Sequence, residues 1–259
     1  MFIAIQYWEK DEARALRLAR LLADLEPRSR KDATIILARR FDTELSAEAF
    51  ATAQYVGRKL PVMMVRSKRT GVGHPAGCNG LMAGVMDHLT DMWRSGDLLR
   101  SSVFLAEADG CPLRRDWLTI LMEEQARAVT AGKGICGPYM NCFLPNGKTL
   151  PHINGTLVMH VPWWIDHPSV HNTPPDQGWD IFHAPVMVPA AWRTTMILNI
   201  HHSKNWTADQ LVPLAADHAW LTSVKDFSVL EWAENALVPM ETRELRRLRA
   251  ENERLKAGR

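Results

Sequence analysis

The chain has 259 residues, 46% of them hydrophobic and 23% charged, with a formal net charge of +2. This is globular composition, long enough for one large domain or two small ones. Charge so evenly balanced excludes a long basic channel for nucleic acid and leaves only local phosphate contacts. The four cysteines, Cys78, Cys111, Cys136 and Cys142, form no C-x-x-C pair, and no matching histidine pair completes a zinc site. Free thiols of this kind suit a reducing cytoplasm. The apolar start of "MFIAIQYWEKDEAR" is too short for a signal peptide, and no window approaches the length of a membrane span. The expectation is a soluble cytoplasmic protein with no membrane partner.

In chain order, "FIAIQYW" is a strand candidate, followed by a helix "DEARALRLARLLADLE" with Ala13, Leu16, Ala19 and Leu22 on one face and Asp11 placed to start it. "ATIILAR" is a second strand, "SAEAFATAQYVGRK" a helix opened by Ser46, and "PVMMVRS" a third strand. "GLMAGVMDHLTDMWRS" predicts a helix, "SVFLAE" a fourth strand, "DWLTILMEEQARAVTAG" a helix capped by Asp116, and "KGICGPY" a fifth strand. Strands that alternate with helices imply βαβ units, and continuous apolar strands imply a parallel sheet covered on both faces. After Asn141 the pattern gives way to prolines and glycines (Pro145, Gly147, Pro151, Gly155, Pro162, Pro168, Pro174, Pro175) in a segment rich in His and Trp. The chain closes on a charged helix, "ETRELRRLRAENERLKAGR". Its Leu245, Leu248, Asn252 and Leu255 have a-d-a-d spacing over about two heptads, short of the three or four of a firm coiled coil. The expected organisation is α/β: a mostly parallel central sheet flanked by helices over residues 1–235, then a C-terminal helical tail over 236–259, as a monomer or weak dimer.

The chemistry centres on "VFLAEADGCP", residues 103–112, where a core strand ends in Glu107 and Asp109 before a turn at Gly110. Open parallel sheets bind ligands beyond the carboxyl ends of their strands. Residues i and i+2 of an extended segment point the same way, and two hard oxygen donors on one side suit Mg²⁺ or Mn²⁺, which bridge substrate phosphates. The competing explanation is a solvated turn in which Asp109 serves the Gly110 bend.

In these segments the chain resembles the nucleotide-sugar glycosyltransferases of the GT-A fold, where a D-x-D-type motif after a central strand holds a metal on the donor diphosphate. "EAD" is a variant with Glu first. It is also similar to small bacteriophage-encoded glycosyltransferases, some of which decorate modified DNA bases. The resemblance covers roughly residues 1–235. It implies that residues 1–140 bind the nucleotide sugar, a UDP-sugar by preference, and that 141–235 form the acceptor side. "IQYW" brings Gln6 and Trp8 to the nucleotide, and "RRFD" places Asp42 where it accepts from the base. "HPAGCNG" puts Asn79 near the donor, and "HINGT" and "GWDIF" supply Asn154 and Asp180 for sugar and acceptor. The resemblance further implies a late His near a Lys that completes metal or diphosphate binding. "HAWLTSVKD" offers His218 and Lys225, but their spacing is wider than the compact H-x-x-K form, and Thr222 stands where that His is expected.

Asp180 has two roles open to it, catalytic base or helix N-cap. Asn154 and Gly155 present an amide and bare backbone to a sugar hydroxyl, or simply make a turn. Trp163 and Trp164 are an acceptor platform or sheet packing. Arg66, Lys68 and Arg69 form a basic loop for phosphate, or a solvated one. "GVGHPAG" is neither a dinucleotide fingerprint nor a P-loop. The expected function is metal-dependent sugar transfer to a hydroxyl, with a 5-hydroxymethylpyrimidine in duplex DNA as the favoured acceptor and a glycan or small molecule as the other. A host cytoplasm is the expected location if the chain is phage-encoded. A sugar nucleotidyltransferase is the rival enzyme, and a fold-retaining binding protein paired through residues 241–257 is the rival outside enzymes.

Overall fold

The structure, a computed structural model, describes residues 1–98, 100–143 and 149–257, without the side chains of 143, 201, 202, 249, 250, 253 and 255–257. Pro145, Gly147, the His201–His202 side chains and the Leu255 side chain therefore lie outside the described residues.

The predicted alternation over the first half is present. Strand β1 (Phe2–Tyr7) leads into α1 (Glu12–Leu25), β2 (Thr34–Arg39) into α2 (Ala47–Val56), β3 (Val62–Arg66) into α3 (Ala76–Ser95), and β4 (Ser102–Glu107) through the two-residue β5 (Cys111–Pro112) into α4 (Trp117–Thr130). Ser46 caps α2 by accepting from the Ala49 amide at 3.0 Å. Asp116 does not cap α4 with its side chain; its carboxylate pairs with Arg114 instead. The buried stripe of α1 runs through Ala15, Leu16, Leu18, Ala19 and Leu22, and Ala13 lies outside it in solvent. Alternate residues of β1 feed opposite faces: Ile3, Ile5 and Tyr7 join one core, Phe2 and Ala4 the other.

The second half departs from the expected simple continuation. The predicted strand over 133–139 divides at Pro138, which has no N–H for a ladder, into β6 (Ile135–Gly137) and β7 (Tyr139–Phe143). β7 forms a two-stranded antiparallel ribbon with β8 (Thr149–Ile153), and the chain returns as β9 (Leu157–His160). Short helices α5 (Val161–Asp166), α6 (Trp179–Phe182) and α7 (Ala184–Met187) precede β10 (Ala191–Arg193). Then come β11 (Ile197–Ser203), α8 (Ala208–Asp217), β12 (Trp220–Val224), α9 (Ser228–Ala236) and α10 (Met240–Ala257).

Seven strands make one sheet in the order β10-β6-β9-β4-β1-β2-β3. Its pairings are parallel except at β9, which runs antiparallel between β4 and β6. Because β9 and β10 come from beyond residue 140, both halves of the chain build this sheet. A second sheet, β11-β12-β5, sits at the carboxyl end of β4, and its last strand begins one residue past Gly110. The charged helix α10 is anchored by an ion pair of Arg246 with the buried Asp24 on α1, while Leu245 and Leu248 are 54% and 49% exposed.

The two sheets are locked by aromatic packing. Trp220 of β12 meets Phe104 of β4 edge-on at 4.9 Å between ring centroids and Trp117 of α4 at 5.2 Å, all fully buried. Gly110 exists to let that indole approach: a Cβ there would lie 2.6 Å from Trp220 Nε1. This packing holds β12 against the strand end that carries Glu107 and Asp109. Trp220→Ala should cost about 3–5 kcal/mol of folding stability, as other large core truncations do. Urea unfolding measures it, and a loss below about 1 kcal/mol would mean that the indole is not the inter-sheet lock.

Candidate active site

Glu107 closes β4 and stands in register with Gln6 on β1, so the glutamine predicted to meet the donor does lie beside the carboxylate. Asp109 follows two residues later, inside a turn closed by the Gly110 amide on the Glu107 carbonyl at 3.0 Å. Burial first, then the Asp109 charge, push the Glu107 pKa up to about 7; Lys225 opposes this and Asp180 adds to it. Asp109 Oδ2 accepts from Lys225 Nζ at 2.5 Å, whereas its Oδ1 is buried with no hydrogen-bond donor among the described residues. Thr222 Oγ1 lies 3.5 Å from Glu107 Oε2 and 3.1 Å from Thr156 Oγ1. Ser223, between Thr222 and the Lys225 turn, has φ +67°. A non-glycine residue held there is strained backbone of the sort that clusters at functional sites.

Asp180 arrives from the far side of the chain. Gly178 is the N-cap of α6, and Asp180 sits inside the first turn, where its Oδ1 accepts from the Ile181 amide at 3.0 Å. The Gly155 amide also donates to Asp180, and His152 Nε2 is 3.9 Å from its Oδ2. Burial nevertheless raises the Asp180 pKa above the usual carboxylate value, with His152 pulling the other way. A buried carboxylate so tuned is suited to accept a proton. Gly155 also borders Glu107: a Cβ there would be 3.8 Å from Glu107 Oε1. Three carboxylates, Glu107, Asp109 and Asp180, thus share one site at the carboxyl ends of parallel strands.

The remaining sequence candidates divide. Trp8 at the end of β1 is flanked by two cations, with Arg40 Cζ 5.0 Å and Lys10 Nζ 5.1 Å from its ring centroid. Arg40 holds Asp42 in a fork at 2.5 and 2.8 Å, which lowers the Asp42 pKa. Trp8 and Asp42 thus flank Arg40 at the ends of β1 and β2. Asn79 binds the chain at both ends of its amide. Its Nδ2 donates to the Gln177 carbonyl at 2.8 Å, and its Oδ1 accepts from the Trp179 amide at 3.0 Å, so it clasps the segment that carries Asp180. Asn154 Oδ1 accepts from the Thr156 amide at 2.9 Å, the turn alternative.

His218 is not brought to the carboxylates. Thr222 is the β12 residue beside Glu107, and His218 precedes it by four residues, about 13 Å at the strand rise of about 3.3 Å. Its Nδ1 instead donates to the Thr195 carbonyl at 2.6 Å. Trp163 and Trp164 are core, not platform, at 9% and 0% exposure, because they pack the second face of the sheet and stack on His167 and His171. The basic loop is largely neutralised: Arg69 forks Asp87 at 2.7 and 3.0 Å, and Arg66 binds the Phe41 carbonyl and faces Glu44 at 3.7 Å.

Sequence reasoning missed His152, inside the quoted "HINGT", because its partner Asp180 is distant in the chain and no spacing announces the pair. It also missed Cys78. Desolvation first, then Glu107, Asp11 and Asp109, raise this thiol's pKa, although the residue keeps an open side.

Among the described residues no group of three His, Cys, Asp or Glu side chains is placed to hold a metal ion. The pair Glu107–Asp109 still fits a hard divalent cation whose shell is completed by substrate oxygens. The buried, donorless Asp109 Oδ1 and the mutual repulsion of the carboxylates both call for positive charge.

No protein-family model matches the sequence, and no curated protein matches it. Solved structures are similar in fold. The bifunctional glycosyltransferase WbbM superposes with a TM-score of 0.57 at 9% identity over 93% of this chain, which spans only 51% of WbbM. An active-site mutant of LgtC gives 0.57 at 11% identity, covering 94% of this chain and 99% of that one. The galactosyltransferase LgtC with donor and acceptor sugar analogues gives 0.55 at 12% identity over the same shares. The α/β architecture with its mostly parallel seven-stranded sheet is therefore the GT-A-like one expected.

Glu107 generates a pH signature. Its native pKa of about 7 lies above the ordinary 4.5, so the native chain keeps a proton that the unfolded chain has released. The associated stability is fully present below pH 4.5 and is lost as pH rises toward about 7. In metal-free buffer Glu107→Gln should melt higher than the parent at pH 8, with the gap closing toward pH 4.5. Thermal scans across that range check it; a gap of constant size would refute the buried, crowded carboxyl.

Proposed function

We propose that the chain is a glycosyltransferase that moves a sugar from a nucleotide-diphosphate donor, a UDP-sugar by preference, to a hydroxyl acceptor, in the cytoplasm. The single observation that carries this is the meeting of Glu107, Asp109 and Asp180 at the carboxyl ends of parallel strands, on a fold shared with LgtC and WbbM. Glu107 and Asp109 are the residues that would hold Mn²⁺ or Mg²⁺, and the bound cation would neutralise charge growing on the leaving diphosphate.

The chain's own groups do the rest. Lys225, fixed on Asp109, turns its ammonium toward the donor diphosphate. Trp8 and Arg40 offer stacking faces to the nucleobase, with Asp42 at their edge. Asp180 takes the proton of the attacking hydroxyl at its carboxylate, aimed by the Ile181 and Gly155 amides and steadied by His152. Asn79 positions that carboxylate by tying residues 177–179 to the start of α3.

A glycan or small-molecule hydroxyl is the preferred acceptor. The buried Trp163 and Trp164 and the paired Arg66 and Arg69 leave little for the flipped base of a hydroxymethylated duplex.

A panel of nucleotide sugars with manganese, scored for donor hydrolysis, tests this without an acceptor. Asp109→Asn should abolish both turnover and its metal dependence, since an amide cannot replace the charge. Asp180→Asn should bind donor in calorimetry yet turn over about 10²- to 10⁴-fold more slowly. If no nucleotide sugar binds or is cleaved, the chain is not such an enzyme. Sugar transfer to DNA containing 5-hydroxymethylcytosine or 5-hydroxymethyluracil, read by nucleoside mass, would move the acceptor back to DNA.

A further inference from the structure

A second hollow opens on the acceptor side, with a cavity volume of about 170 Å³, against about 30 Å³ for one water of the liquid. It is lined by Tyr139 at the start of β7, Arg193 at the end of β10, Asn199 on β11 and His218 before β12. Arg193 makes no ion pair or hydrogen bond among the described residues; its guanidinium lies over the Tyr139 ring, 5.8 Å from the centroid. Tyr139 is itself fixed by its hydroxyl on the Val188 carbonyl at 2.9 Å, so the guanidinium rests on a rigid ring. His218 uses Nδ1 on the Thr195 carbonyl, which leaves Nε2 as the ring's unpartnered nitrogen. Asn199 Oδ1 is buried with no donor, and such an acceptor calls for a hydroxyl or amide from a ligand.

The hollow neighbours the reaction site through one register pair. Asn199 stands opposite Thr222, and Thr222 Oγ1 is the hydroxyl beside Glu107. His218 precedes Thr222 by four residues of extended chain, about 13 Å at the strand rise, a separation that a sugar bearing a charged substituent, or two linked sugars, would bridge.

We infer that this hollow is an acceptor subsite for an acidic saccharide. Its phosphate or carboxylate sits on Arg193, and its hydroxyls donate to His218 Nε2 and Asn199 Oδ1. The assignment rests on the proposed glycosyl transfer. An unpaired arginine on an aromatic ring is matched to a planar or tetrahedral oxyanion, and it selects acidic acceptors over neutral ones of the same shape.

The test titrates ¹⁵N-labelled protein by NMR with inorganic phosphate, glucose 6-phosphate, glucuronate and neutral methyl glucoside, and separately with UDP and manganese. Either acidic sugar should bind, shifting resonances of residues 193–199 and 218, and methyl glucoside should not. The stronger of the two acidic sugars tells phosphate from carboxylate. Arg193→Gln should weaken that binding about tenfold or more, the loss of one charge-assisted contact, and Arg193→Lys should recover part of it. Melting curves that overlay the parent's show that the variants fold. Failure of both acidic sugars to bind, or unchanged binding by Arg193→Gln, overturns the subsite, as does binding of a hydroxymethylated DNA duplex but of neither sugar. Donor binding without acidic-sugar binding leaves the transferase standing and removes the subsite. Acidic-sugar binding without donor binding removes the transferase and the acceptor role with it.

Discussion

Three half-buried carboxylates brought together repel one another, and the rest of the structure answers that constraint. Glu107 responds by holding its proton to about pH 7, Asp109 by binding Lys225, and Asp180 by collecting two backbone amides and His152. Each response is partial. Asp109 keeps a buried oxygen with no donor, and Glu107 has a long contact from Thr222 and a side-chain contact with Asp109 that favours its protonated form. A chain built for stability alone would not keep this cluster, because uncompensated buried charge is costly. The cluster is intelligible as a site whose balance is completed by a cation and an anionic donor arriving together.

The scaffold is organised to hold that cluster still. Trp220 wedges β12 against β4 and α4, and Gly110 makes room for it one residue past Asp109. β12 in turn delivers Thr222 to Glu107 and Lys225 to Asp109 from a single strand end, across a strained Ser223. Asn79 does the equivalent for Asp180 across 100 residues of chain. Trp117, Trp164 and Trp220 are fully buried core, and of the tryptophans considered for ligands only Trp8 remains at the mouth.

Much of this was legible in the sequence. The first four strands and helices were readable because period and apolar runs are local signals, and Glu107 and Asp109 were readable because they break such a run at its end. Beyond Asn141 the legibility falls. Nothing local says that β9 returns antiparallel between β4 and β6, since pairing partners are chosen by tertiary packing. The clasp that Asn79 makes on Gln177 and Trp179 was not legible, because those partners are invisible along the chain. His218 is not at the carboxylates because it lies before β12, bonded to the Thr195 carbonyl, whereas Thr222 inside the strand reaches Glu107. His152 was passed over inside "HINGT", and Arg193 carried no motif; only the fold sets one against Asp180 and leaves the other's guanidinium unpaired among the described residues.

The claim on which the account turns is that cation and nucleotide share the Glu107–Asp109 site. The most direct measurement is calorimetric titration of manganese into the protein, with and without a saturating nucleoside diphosphate, run over the common nucleosides. The account predicts weak manganese binding alone, because two carboxylates and Lys225 make an incomplete site, and markedly tighter binding with one diphosphate, with reciprocal tightening of that nucleotide by the metal. Equal affinity of every nucleoside diphosphate with and without manganese would contradict it.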